Sequence, residues 1–93
     1  MKIVAKNLRK ELKRKKLSIA EFIRILNSLQ FQLFPDRPEI TRNSFYHYLR
    51  GHTPTPDRIY MIAAILGVHP RRIFTTEFDD EKYTLIKNVY KYL

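Results

Sequence analysis

Between Thr41 and Gly51 the chain reads TRNSFYHYLRG, and its polar residues are types that make directed hydrogen bonds. Arg42 and Asn43 carry side chains able to bond in pairs to the edges of guanine and adenine. On a helix turning by about 100° per residue, Arg42, Asn43, Tyr46, His47 and Arg50 share one arc. Ser44, Phe45, Tyr48 and Leu49 share the other. The spacing predicts one face in a core and one face that is basic and hydrogen-bonding. An ordinary solvated face more typically carries Glu and Lys, and this one has neither. The plainer readings are polar capping residues at Arg42 and Asn43, and a His47 that touches phosphate or nothing. Tyr46 suits a thymine methyl or a sugar, or only solvent.

Such a helix needs a scaffold, and the periodicity around it is helical throughout. A first segment, about Ile3 to Lys15, puts Val4, Leu8 and Leu12 on one stripe among lysines and arginines, with Glu11 and Lys15 at ion-pair spacing. Ser18 and Glu21 form a capping-box pattern for a second helix to about Gln30, with Leu17 and Phe22 at staple spacing. Two prolines then interrupt FQLFPDRPEI, which predicts a loop of about 31–40 whose Phe31, Leu33 and Phe34 fold back onto the core.

Thr41 is the expected N-cap of the third helix, with Ile40 and Phe45 as its staple and Gly51 as its stop. Thr55 and Pro56 open a fourth helix to Leu66, apolar nearly all round and so expected to be the most buried element. A short fifth helix from Pro70 points Ile73 and Phe74 inward, and a last one covers about Asp80 to Tyr92. The fold class expected is all-α. Residues 1–76 form the main domain, and 77–93 a C-terminal helix belonging to the same unit.

The formal net charge of +9 predicts an anionic partner, most often nucleic acid and sometimes an anionic membrane, against the alternative of a solubilising surface. The absence of cysteine excludes disulfides and thiolate metal sites and fits a cytoplasmic protein. The chain shows no signal-peptide pattern, and its longest apolar run, Ile59 to Val68, is too short for a bilayer. His47, His52 and His69 stand in separate settings without clustered acids, so no metal is expected. No nucleophile–base pairing or glycine-rich phosphate loop points to an enzyme, and neither a cofactor nor a small-molecule ligand is implied.

The stretches LRKELKRKKLSIAEF and TRNSFYHYLRGHTPTPDRIYMIAAILGVHPRRIF, with their spacing, resemble the lambda-repressor-like (Cro/repressor, XRE-type) helix-turn-helix family. The resemblance covers roughly Leu8 to Phe74. It implies a five-helix domain that lays its third helix, about 41–50, in the major groove of double-stranded DNA. Base contacts would then fall on Arg42, Asn43 and His47, joined by Ser44 or Tyr46. Phosphate contacts would fall on Thr41, Arg50, His52 and Thr53, and on Ser18 at the start of the second helix. The chain departs from the family pattern in its longer link before the third helix and in Ile19, where the family often has Gln. It departs again in Leu12 and Leu49, which replace a common Arg–acid pair and predict an apolar contact instead.

The role implied is a transcriptional regulator, most naturally a repressor, that binds a pseudo-palindromic site as a homodimer. An antitoxin or restriction-controller protein would share the fold. A protein-interaction or RNA-binding module working through FQLFPDRPEI is the rival from another class. The last helix either caps the domain with Tyr83, Ile86 and Tyr90 or pairs with a second copy through Leu85 and Val89, or does both.

Overall fold

The side-chain pattern of each segment sets its helix, and the stops are built from backbone hydrogen bonds. In the computed structural model, which describes residues 5–73 and 78–93 (side chains from Asn7), the helices are α1 (Ala5–Arg14), α2 (Ile19–Leu33), α3 (Arg42–Leu49), α4 (Pro56–Leu66) and α5 (Asp80–Lys91). A single 3₁₀ turn, Pro70–Arg72, replaces the expected fifth helix. No strand occurs among the described residues, and the molecule is a five-helix all-α domain. Val4, Phe74 and the 76/77 boundary lie outside the described residues.

The capping box of α2 is complete: the Glu21 amide donates to Ser18 Oγ, and the Glu21 carboxylate accepts from the Ser18 amide. Thr41 caps α3 by accepting from the Ser44 amide at 3.1 Å. Thr55 has the extended N-cap backbone but makes no side-chain cap bond, and Pro56 starts α4. Gly51 and Gly67 have φ of 105° and 71°, the left-handed conformation that stops α3 and α4. The same stop ends α1 on Lys16, with φ of 57°, where the Leu17 amide reaches Leu12 O and the Lys16 amide Lys13 O.

α4 is the central element, buried continuously from Ile59 to Leu66. α2 and α5 pack against it, α5 also touches α2, and α3 packs against α1 and α2. Phe22 and Phe45 join α2 to α3, with ring centroids 5.3 Å apart. Leu12 and Leu49 are both buried in this one core. Tyr83 and Ile86 cap it from α5, with Val89 and Tyr90 half-buried beside them.

Three further expectations are corrected. First, α2 runs to Leu33 instead of about Gln30, so Phe31 is helical and the connecting loop begins at Phe34. Pro35 disfavours helix only for its own position and the one before it, leaving Leu33 free to stay in the helix. Second, Phe31 faces solvent, whereas Leu33 and Phe34 do pack on the core. Third, Glu11 pairs not with Lys15 but with Arg14 at 2.7 Å and Arg72 at 3.7 Å. Glu11 is only 7% exposed, and Arg14 reaches it from the next turn of α1 while Arg72 reaches it from the 3₁₀ turn.

Candidate nucleic-acid interface

The two arcs of α3 separate largely as the spacing requires. Phe45, Tyr48 and Leu49 are buried, whereas Arg42, Asn43, His47 and Arg50 are exposed. Among the described residues, neither Arg42 nor Arg50 has a carboxylate partner. Elsewhere Arg14, Arg37, Arg72 and Lys82 are all held by acids. The cations of α3 thus keep their charge available to an external anion.

Tyr46 is half-buried and leans on the core, so it stands at the edge of the exposed arc and not at its centre. Ser44 is half-buried too, and its Oγ accepts from the Thr41 hydroxyl at 3.0 Å. Thr41 therefore spends its hydroxyl on the helix cap, accepting from one group and donating to another. After α3, His52 and Thr53 are exposed while Pro54 is buried and anchors the link to α4. The His52 amide donates to His47 O, and the two imidazoles meet edge-on with centroids 5.2 Å apart. Arg42, Asn43, His47, Arg50 and His52 thereby belong to one helix and its immediate exit.

Ser18 does not join them through contacts within the chain. Its hydroxyl oxygen is used in the capping box, and the Glu21 carboxylate sits at the same amide group. The hydrogen bonds from Ser18 hold the Glu21 carboxyl below its ordinary range, so this helix start carries a negative charge of its own.

The residues that hold the link into α3 escaped the sequence reading. Asn27 on α2 accepts from the Ile40 amide at 2.7 Å and donates to Ile40 O at 3.0 Å, clamping the residue just before the cap. One turn later the buried Gln30 donates to Pro38 O at 2.8 Å and accepts from Arg58 Nε at 3.3 Å. Arg58 also donates to the Tyr48 hydroxyl at 2.7 Å, tying α4 to the inner face of α3. In the loop, Arg37 lies over the Phe34 ring at 4.1 Å and bonds Asp57 at 2.7 Å. A pattern did exist for part of this clamp: Asn27 and Gln30 are polar residues three apart on a largely apolar helix.

The basic first helix divides its charges. Arg14 reaches the Leu66 carbonyl at 3.1 Å, at the C-terminal end of α4, while Arg9, Lys10 and Lys13 are exposed. No described helix is long and apolar enough to cross a membrane, and no metal-holding group of His, Asp or Glu occurs among the described residues. Comparison with known proteins finds no matching family model, no matching curated protein and no matching solved structure.

Proposed function

We propose that the chain is a sequence-specific double-stranded DNA-binding protein that reads the major groove with α3. The observation that carries this reading is the exposed face of α3, where Arg42, Asn43, His47 and Arg50 project from a helix locked by its opposite face. Arg42 and Asn43 occupy the first turn, the end of a recognition helix that meets base edges. Arg50 and the exposed His52 and Thr53 follow at the exit, where contacts to phosphate fix register. The net charge of +9 supplies the long-range attraction. The lambda-repressor-like resemblance supports the same reading and adds the biological role: a cytoplasmic transcriptional regulator, acting as a repressor by occupying a pseudo-palindromic operator as a homodimer.

The test is a random-pool selection on duplex DNA with the wild type and with Arg42→Ala and Asn43→Ala. Each substitution is expected to relax choice at one or two base positions, worth about 1–3 kcal/mol apiece. An unchanged sequence preference in both variants would remove α3 from the reader's role. One observation favours a second reading, a protein-interaction or RNA-binding helical module: the exposed phenylalanine at Phe31. Competition between duplex DNA and structured RNA of equal length separates the two, since the α3 reading requires DNA to win.

A further inference from the structure

A cleft of about 830 Å³ lies between α5 and the end of α4 with its 3₁₀ turn. Clefts that take small organic molecules measure about 300–1,000 Å³ and combine a largely apolar lining with a few placed polar groups. Here the deep part of the lining is Ala64 and Tyr83, both buried, with the half-buried Tyr90 beside them. The Tyr83 hydroxyl is spent on Val68 O at 2.6 Å, which leaves its ring as apolar surface.

The exposed part of the lining is basic. Arg71 stands on the 3₁₀ turn, and Lys87 and Lys91 stand four residues apart on α5, on one face of that helix. Among the described residues none of the three has a carboxylate partner. One acid, Asp80, lines the same cleft at the start of α5 and is bonded to His69 at 2.8 Å. His69 accepts from the Arg71 amide through Nδ1, so Nε2 carries the proton that bonds Asp80 and the ring is neutral. At about 1.5 Å per residue, Asp80 is about 10 Å along the helix from Lys87 and about 16 Å from Lys91. Those distances exceed a Debye length of about 8 Å at physiological salt, so Asp80 leaves both lysines uncompensated.

We propose that this cleft binds a small amphipathic anion, an aromatic or aliphatic body with a carboxylate or phosphate head. The body lies on Ala64, Tyr83 and Tyr90, and the head meets Lys87 and Lys91 with Arg71 across from them. Charge selects the occupant, since the cleft sets three cations against one carboxylate that is already bonded. An uncharged ligand would leave those cations unanswered. A nucleic-acid backbone would answer them but would leave the apolar lining uncovered. The cleft shares no residue with the exposed arc of α3, so the proposal goes beyond the DNA reading and does not depend on it.

Titration of the full chain with 1-anilinonaphthalene-8-sulfonate, an aromatic anion, tests it by fluorescence and by amide shifts in proton–nitrogen correlation spectra. Saturable one-to-one binding is expected, with the largest shifts at Arg71, Thr84, Lys87 and Lys91. Lys87→Gln with Lys91→Gln is expected to weaken binding by at least about tenfold. Arg9→Gln with Lys13→Gln removes the same charge from exposed positions on α1 and should change binding by less than about twofold. 1-Naphthoate should displace the probe, whereas inorganic phosphate at equal concentration should not. Equal losses in the two double variants would mean attraction by net charge alone and overturn the proposal. Shifts centred instead on the exposed Phe31, Leu85 and Tyr92 would overturn it too, as would displacement by phosphate or by a single-stranded oligonucleotide but not by naphthoate. Failure of the DNA selection would leave every one of these results standing.

Discussion

Arg50 is the last residue of the exposed arc, at the C-cap of α3, with no acid to hold it among the described residues. A guanidinium at that exit is suited to phosphate, whose contacts carry no sequence information. Arg50→Ala is therefore expected to weaken all duplexes alike and to lower the slope of log affinity against log salt by about 1. Binding isotherms at several salt concentrations would reveal it, and a change confined to one sequence would contradict it. Tyr48, on the other side of the same helix, gives the contrasting case. Its hydroxyl accepts from Arg58 in the interior, so Tyr48→Phe should cost about 1 kcal/mol in denaturant unfolding. Sequence preference should survive that change, because nothing on the exposed arc is altered. Lys16 lies outside both faces and holds a left-handed backbone that a lysine adopts at a cost. Lys16→Gly should raise stability by up to about 1 kcal/mol, read from the same unfolding curves.

At the level of elements, what could be read from the residues was whatever depended on neighbours in the chain. The capping box of α2, the Thr41 cap, the glycine stops and the all-round burial of α4 follow from local spacing, and each appears where expected. The two faces of α3 were legible for the same reason, apart from the lean of Tyr46 toward the core. What was not legible depends on contacts across the fold. Glu11 has a suitable partner at Lys15, yet its buried position favours Arg14 and Arg72, the latter distant in sequence. The stop at Lys16 carries no glycine to announce it. The clamp on the long link uses Asn27 and Gln30 to hold loop backbone, and no local rule assigns their partners. That clamp makes its own prediction. Asn27→Ala would strand the Ile40 amide in a buried position, at a cost of about 1–3 kcal/mol. If the clamp sets the angle of α3, DNA affinity should fall further than the lost stability accounts for, with the variant still folded by circular dichroism.

Across the whole molecule, the loop, α4 and α5 converge on one carboxylate. Asp57, in the first turn of α4, receives Arg37 from the loop at 2.7 Å and Lys82 from α5 at 2.5 Å. The Lys82 ammonium is the charge that compensates Asp57 Oδ1, an oxygen with no other hydrogen-bond partner. Burial pushes this carboxyl upward, but the bonds from Lys82 and Arg37 outweigh it and leave the net shift downward. A carboxyl lowered in the folded state adds stability that is fully present above its unfolded value. That stability fades as pH falls through the folded value. Its window therefore opens at about pH 4 and extends to lower pH. Asp80, lowered first by its hydrogen bond with His69, and Glu21, lowered by Ser18, act with the same sign in the same window. The wild type should thus lose thermal stability as pH falls below about 4. Asp57→Asn should melt lower at neutral pH, where the amide cannot replace a charge facing two cations, and should show a shallower acid limb. Melting curves of the two proteins should converge as pH falls toward 2, since protonation then removes from the wild type what the substitution has already removed. Parallel curves at constant separation would mean that Asp57 contributes through packing alone, and that the junction of loop, α4 and α5 is not held by charge.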